Sequence, residues 1–307
     1  LKTDDSHVLN NPFSVDESMS RFYDLHIHSW HSSDADFAPR HLFEMAQKTK
    51  IAGLSFSDHD TLAGIKEGNR LAQEFSLDFI PNVEISTYYK SRQFHLLAPL
   101  IDYQSPELIA RLQILTEARV IQARARIKKL RELGFEITFG EVVKETGHKV
   151  PMGPAIAKVL LAKKSPKVTL YTTGEKATNG IIAFYKDFFS EGKPAHVKVE
   201  ELETLEALRL IKNCRGVPVL AHPGAQGYKA DEDIMETFVR NGLEGIEAYS
   251  SYHNPESVQQ FLDWAKNWNL VPTAGSDFHG KVKPHVSFGS IRKRGREMVE
   301  ELLERQN

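Results

Sequence analysis

Tyr23-Asp24-Leu25-His26-Ile27-His28-Ser29 is the stretch from which the fold reads outward. It is a short apolar run ending in His-x-His. On a strand over Phe22 to Ile27, side chains alternate with period two, so His26 and His28 point to the same side. Two imidazoles at one strand end make half of a metal site. A lone His-x-His reads equally well as two surface histidines. What separates the two readings is the ends of the later strand-like runs.

Ile51 to Phe56 is such a run and leads straight into Ser57-Asp58-His59-Asp60-Thr61. Phe79 to Val83 ends at Glu84, and Phe94 to Leu97 contains His95. Val217 to Ala221 ends at His222-Pro223-Gly224, Gly245 to Tyr249 is a further strand, and Val271 to Gly275 ends at Ser276-Asp277-Phe278-His279-Gly280. Amphipathic stretches alternate with these runs: Pro39 to Lys48, Ile65 to Phe75, Leu202 to Asn213, Ile234 to Asn241, Val258 to Trp268 and Arg294 to Arg305. Repeated βα units predict a parallel sheet or a barrel, with ligands at the carboxyl ends of the strands.

Between about 104 and 195 no strand alternation is visible. A long helix is predicted to Leu133, with Leu112, Leu115, Val120, Ala123, Ile127 and Leu130 on one face and Arg119, Arg124, Lys128 and Arg131 opposite. Glu141 to Thr146, Pro154 to Leu161 and Ile181 to Phe189 read as further helices, and Lys163 to Asn179 as an irregular loop. The expected organisation is an N-terminal extension over 1–20, a barrel over 21–103 and 196–307, and a helical insertion over 104–195.

The 307 residues are 41% hydrophobic and 26% charged, enough to bury a sizeable core. A formal net charge of −2 argues against a whole-surface nucleic-acid binder but leaves room for a local basic patch. Cys214 is the one cysteine, so no intramolecular disulfide can form, and a reducing cytoplasm fits best. No apolar run is long enough for a membrane-spanning helix, and the first twenty residues lack the order of a secretory signal. Oligomeric state is not legible.

The candidate ligands are His26, His28, Asp34, His59, Glu84, His95, His222, Asp277 and His279. Singly, Glu84 reads as a surface acid, His95 as a satisfied core histidine and Asp277 as a turn cap. Together they mark a metal centre. A tetrahedral zinc takes about four ligands, so nine groups suit two to three divalent ions. Histidine and carboxylate without cysteine suit manganese, zinc or iron. Ions about 3.5–4 Å apart are a device for phosphate-ester hydrolysis.

These motifs resemble those of the PHP (polymerase and histidinol phosphatase) metal-dependent phosphoesterases. Asp24-Leu25-His26-Ile27-His28-Ser29, Ser57-Asp58-His59-Asp60-Thr61, Pro81-Asn82-Val83-Glu84-Ile85-Ser86, Ala221-His222-Pro223 and Gly275-Ser276-Asp277-Phe278-His279-Gly280 follow that family's order. The resemblance implies a distorted seven-stranded (β/α) barrel with a trinuclear centre. It implies that His26, His28, Glu84 and Asp277 hold one ion, that Glu84 bridges to a second held by His95 and His222, and that Asp34, His59 and His279 hold the third. Asp36 is the alternative to Asp34.

The helical insertion is similar to the branch that removes the 3′-phosphate from nucleoside 3′,5′-bisphosphates, whose relatives trim short RNA from the 5′ end. Where that branch often has Gly-Arg-Pro-His, this chain reads Met152-Gly153-Pro154-Ala155. The expectation is phosphomonoester hydrolysis by metal-bound hydroxide, with Glu84 and Asp277 central to catalysis. His253 is expected to touch phosphate or protonate the leaving group, and Arg119, Arg124 and Arg126 to clamp a second phosphate. The substrate is expected to be a small phosphorylated molecule, a nucleotide first, with no membrane partner. Alternatives are a 5′→3′ exoribonuclease on short RNA, a histidinol-phosphate-type phosphatase and a non-catalytic metal-bound scaffold.

Overall fold

The computed structural model describes residues 22–147, 150–225 and 227–306; the extension expected over 1–20 lies outside them. The strand carrying His-x-His, β1 (Phe22–Ile27), is buried from Tyr23 onward. It pairs in parallel with β2 (Ile51–Phe56), which pairs in parallel with β3 (Asp78–Phe79). The crossovers are α1 (Pro39–Thr49) and α2 (Ile65–Phe75). α1 opens on Pro39, whose missing N–H is not needed in a first turn, and buries Leu42, Phe43 and Ala46 on one face.

The second sheet contains β4 (Glu84–Tyr89), β5 (Arg92–Leu97), β6 (Leu202–Glu203), β7 (Val219–Leu220), β8 (Gly245–Ser250) and β9 (Val271–Gly275) in the order β6-β4-β5-β7-β8-β9. β5 runs antiparallel to both β4 and β7; the other pairs are parallel. The architecture is therefore mixed α/β. Among the described residues the strands form two sheets and not one continuous ladder; isolated bridges, Ile27 to Phe278 and His59 to Glu84, link them.

The strand expected over 79–83 shrinks to Asp78–Phe79, and Glu84 opens β4 instead of closing a strand. Pro81 has no N–H to give to a ladder. The Asn82 side chain takes over: its Oδ1 accepts from the N–H groups of Val83 and Ala98, and its Nδ2 donates to Leu25 O. The chain thus bends at Glu84 while still tied to β1.

The long helix α3 (Pro106–Glu132) is capped by Ser105, whose side chain accepts from Leu108 N. α3 serves two cores. Leu108, Leu112 and Leu115 pack with Ile85, Phe94, Leu208 and Phe238, while Ala123, Ile127 and Leu130 pack with Phe135, Ile156, Phe184 and Phe189. The second cluster is built from residues between 123 and 195. It also holds α4 (Phe139–Thr146), α5 (Gly153–Ala162), α6 (Thr169–Thr172) and α7 (Gly180–Phe188). α6 lies inside the stretch expected to be an irregular loop. Val168 and Tyr171 are buried there, which gives four residues reason to coil. α8 (Thr204–Asn213), α9 (Glu232–Arg240), α10 (Pro255–Asn267) and α11 (Arg296–Arg305) complete the chain. None of the described helices is long and apolar enough to cross a membrane.

Candidate metal centre

Glu84 is the hub. Its Oε2 lies 3.3 Å from His26 Nε2, 3.1 Å from His28 Nε2 and 3.1 Å from His59 Nδ1. Its Oε1 lies 2.8 Å from His95 Nδ1 and 3.0 Å from His222 Nε2. Asp277 Oδ1 faces the same pair from β1, 3.2 Å from His26 Nε2 and 3.1 Å from His28 Nε2. Asp34 Oδ2 stands 3.5 Å from His59 Nε2 and 3.4 Å from His279 Nε2.

Three overlapping groups have one ligand atom from each member within 4.8 Å of the others: His26, His28, Glu84 and Asp277; His28, Asp34, His59 and His279; and His59, Glu84 and His95. His222 joins through Glu84, and His59 faces two groups at once, one through each ring nitrogen. Asp36 points elsewhere, accepting from Lys281 N at 2.6 Å. The structure therefore brings Asp34, not Asp36, to the cluster.

These residues fit a bound ion for a physical reason. His26 Nε2, His28 Nε2, His59 Nδ1, Glu84 Oε2, His222 Nδ1, Asp277 Oδ1 and His279 Nε2 are all buried without a hydrogen-bond partner. One such atom costs about 1–3 kcal/mol. Gathered in one place, they need a shared partner, and hydrogen bonding does not supply it. Two ligands each about 2.1 Å from a tetrahedral ion stand about 3.4 Å apart, close to the separations observed.

Electrostatics keeps the carboxylates ionised and divides the histidines. Burial pushes the carboxyls of Glu84, Asp34 and Asp277 up, but the facing cations outweigh it and hold all three well below the usual range. For Glu84 these are chiefly His59, His95 and His26; for Asp34, His279 and His59; for Asp277, Lys283, His279 and His26. His28 is pushed down to about 4 by burial, with His279 and His59 adding to it, and His95 to about 4 by burial. Burial lowers His26 and His59 too, but the carboxylates facing them outweigh it: Glu247, Glu84 and Asp277 hold His26 well above the usual imidazole range, and Glu84 and Asp34 push His59 up to about 9. Ionised carboxylates and neutral imidazoles are the ligand-competent forms, so a bound ion would displace the protons of these two rings.

The surroundings hold the ligands in place. Glu247, a carboxylate inside the buried strand β8, meets His26 Nδ1 with Oε1 at 3.0 Å and accepts from His222 N with Oε2 at 2.8 Å. Gly275 makes room for this, because a Cβ there would fall 2.2 Å from His26 Cβ and 2.4 Å from Glu247 Oε1. Asp24 ties β1 to the loop after β9 by accepting from Ser276 N at 2.8 Å. Asp58 ties that of β1 to that of β2 by accepting from Ser29 N at 2.7 Å. The other Asp277 oxygen, Oδ2, accepts from Tyr252 Oη at 2.6 Å and from Lys283 Nζ at 2.7 Å. Asp60, His222 and Asp277 have φ of 52°, 29° and 56°, left-handed conformations that side chains disfavour and that gather at functional sites. Sequence reasoning missed Glu247, Tyr252 and Lys283. An acid between Ile246 and Ala248 in an apolar strand was a signal for the first; the other two carried none.

The residues expected to bind substrate divide. Arg119 Nη2 pairs with Asp60 Oδ2 at 2.8 Å, beside His59. Arg126 is buried, with its carbon Cζ 4.9 Å from the Phe189 ring centroid and its Nε unpartnered. A Cβ on Gly153 would lie 2.6 Å from the Tyr185 ring and 3.3 Å from Arg126 Nη1, so Tyr185 and Arg126 fill that space. Arg124 is exposed and stacks 3.7 Å from the centroid of Phe139. His253 departs from its expected role. Its Nε2 accepts from Gly224 N at 3.1 Å and its Nδ1 donates to Ala248 O at 2.9 Å. Both nitrogens are engaged by backbone, so neither is free for phosphate or a leaving group.

Comparison with known proteins follows this geometry. No family model matches the chain. A phosphoribosyl 1,2-cyclic phosphate 1,2-diphosphodiesterase of Eggerthella lenta is 28% identical over 86% of this chain and 97% of its own length. A 5′-3′ exoribonuclease of Haemophilus influenzae is 28% identical, covering 85% and 91%. A 3′,5′-nucleoside bisphosphate phosphatase of Chromobacterium violaceum is 26% identical, covering 83% and 86%. The relatives are metal-dependent phosphoesterases of the PHP type. Among solved structures, a protein of Bifidobacterium adolescentis assigned as a metal-dependent phosphoesterase superposes with a TM-score of 0.78 at 26% identity, covering 93% of this chain and 96% of that one. These three named relatives are all hydrolases of phosphoester bonds, and the likeness to them extends over 83–86% of this chain.

Proposed function

We propose that this chain is a metal-dependent phosphoesterase that hydrolyses a phosphomonoester of a nucleotide, with a nucleoside 3′,5′-bisphosphate as the first candidate. The observation that carries the reading is the set of buried, partnerless ligand atoms around Glu84. In this reading His26, His28, Glu84 and Asp277 hold one ion; Glu84, His95 and His222 a second; Asp34, His59 and His279 a third. Manganese, zinc and iron all suit the donor set. Bound ions of this kind draw charge from phosphoryl oxygens and make water nucleophilic at neutral pH.

The chain's own groups supply the rest. Glu247 holds His26 in one orientation through Nδ1, which leaves Nε2 turned inward. Tyr252 and Lys283 hold one oxygen of Asp277 and leave the other to the centre. Arg126, with a free buried Nε next to the start of α5, is the better candidate for a second phosphate. Arg119 is already neutralised in part by Asp60. In this reading the residues over 21–103 and 196–307, which build the two sheets, carry the chemistry, and the helices over 104–195 the recognition.

A second reading, cleavage of short RNA, draws support from charge. Between 104 and 195, Lys and Arg outnumber Asp and Glu by 16 to 9, although the whole chain has 39 against 41, so basic charge is concentrated beside the centre. The test is a screen with added Mn²⁺ over mononucleotides, nucleoside bisphosphates, sugar phosphates, a ribose cyclic phosphate and short 5′-phosphorylated RNA. Phosphate release is measured together with chromatography of the organic products. Fastest turnover on a nucleoside bisphosphate is the expected result. Preference for RNA selects the second reading, and no turnover on any phosphoester overturns both.

A further inference from the structure

We propose that Lys283 is a protein-borne cation of the phosphate site, which touches the substrate's phosphoryl oxygens directly. The proposal rests on the phosphoesterase reading above and adds to it a residue from outside the histidine and carboxylate cluster. Lys283 follows the short turn Gly280–Val282, after the loop that bears Asp277 and His279. Its Nζ donates to Asp277 Oδ2 at 2.7 Å. That oxygen also accepts from Tyr252 Oη at 2.6 Å, and the ammonium lies 5.6 Å from the centroid of the Tyr252 ring.

A purely structural lysine is a poor account of this arrangement. The tyrosine hydroxyl is enough to fix Asp277 Oδ2, and it does so without adding charge. An ammonium has three donors, and Asp277 takes one of them. The Lys283 side chain keeps 29% of its exposure, so it sits at the rim and not in the wall. Its charge also matters. The ligand histidines are neutral in their metal-holding form, and the carboxylates of Asp34, Glu84 and Asp277 are already outweighed by two or three divalent ions. A further fixed cation beside such a centre is repelled by it. The repulsion turns into attraction only when an anion joins, which is the state a phosphate ester creates. A lysine suits this task as a compact point charge able to turn between Asp277 and a phosphoryl oxygen. Arg119 is committed to Asp60 on the insertion side.

The experiment compares Lys283→Met, which keeps the stem and removes the charge, with Lys283→Arg, which keeps the charge, against wild type loaded with Mn²⁺. Three quantities are read: bound manganese per chain by elemental analysis, the dissociation constant of orthophosphate by calorimetry, and kcat/KM on whichever phosphoester the wild type turns over. Expected for Lys283→Met are unchanged manganese content, at least about tenfold weaker orthophosphate binding and a larger loss in kcat/KM. Lys283→Arg recovers most of the phosphate affinity. Unchanged orthophosphate affinity in Lys283→Met overturns the proposal. Loss of bound manganese also overturns it, since Lys283 would then act through Asp277 as a positioning residue. A wild type that binds orthophosphate but hydrolyses no phosphoester refutes the phosphoesterase reading while leaving the binding comparison intact. A wild type that binds no orthophosphate refutes Lys283 as a phosphate group.

Discussion

The two halves of the molecule bury polar groups in opposite ways. Around Glu84, seven ligand-group atoms are packed out of water without a hydrogen-bond partner, although Glu84 Oε1 bonds His95 and His222, and three residues there hold left-handed backbone. In the helices that follow α3, the interior is apolar: Ile127, Leu130, Ile156, Leu160, Phe184 and Phe189 form a core of their own. There Thr138 and Glu141 cap α4 reciprocally, and the buried Arg126 Nε is the exception without a partner. The first half is incomplete without ligands, and the second is complete as a fold. That difference teaches where metal removal and mutation should act.

Metal removal has the largest expected effect and separates the halves most sharply. Dialysis against a chelator should abolish turnover, and Mn²⁺ should restore it. Stability should fall too, by about 2.7 kcal/mol relative to protein held at a hundredfold excess of ion over its Kd. The helical circular dichroism signal should barely change below the transition. Full activity after verified removal of metal would break the comparison.

Next in size are Glu84→Gln and Asp277→Asn. Each keeps the shape of the side chain and removes a negative charge facing two or more histidines. Turnover should drop on the order of a hundredfold or more, with manganese content reduced and folding intact. Activity within a few-fold of wild type would mean that the cluster is not the catalytic centre.

A smaller, substrate-dependent effect is expected at Arg126. Arg126→Met keeps the stem packed against Phe189 while removing the guanidinium. KM for a nucleoside bisphosphate should rise about tenfold, the worth of one hydrogen bond to a charged group. An aryl phosphate, which has no second phosphate, should be hydrolysed as before. Equal loss on both substrates would assign Arg126 to packing alone.

What the sequence made legible follows the same division. The His-x-His strand, α2 and β9 lie where periodicity placed them, and His26, His28, His59, His222, Asp277 and His279 follow a short local rule, on or just past the carboxyl end of a parallel strand. Glu84 and His95 do not: one opens β4 and the other lies inside antiparallel β5. The antiparallel turn of β5 was not legible. β4 and β5 form a hairpin closed by Lys90 and Ser91, both with left-handed φ of 49° and 64°, and Lys-Ser is not the Asn-Gly or Asp-Gly pair that announces such a turn in a sequence. His253 illustrates the converse. Its position after β8 suggested chemistry, but its partners Gly224 and Ala248 are set by how two loops meet. Lys283 is three residues past the end of the Gly275–Gly280 motif and became visible only when the chain folded it back on Asp277.

The smallest expected effect tests whether position on α3 alone confers a role. A helix turns 100° per residue, so Arg119 and Arg126, seven apart on α3, fall on nearly one face, while Arg124 lies on the other side. Arg126 is buried beside the start of α5, Arg119 reaches Asp60, and Arg124 lies exposed over Phe139. Arg124→Ala therefore removes a cation–π contact at a solvent-facing position, worth about 0.5–1 kcal/mol. Stability should fall by no more than that, read as a small shift of the urea midpoint. KM and kcat should stay within twofold of wild type on both a bisphosphate and an aryl phosphate. A KM effect confined to the bisphosphate would place Arg124 in reach of the second phosphate after all. The substrate would then extend past Arg126 along the outer face of α3, and that length of contact favours an oligonucleotide over a single nucleotide.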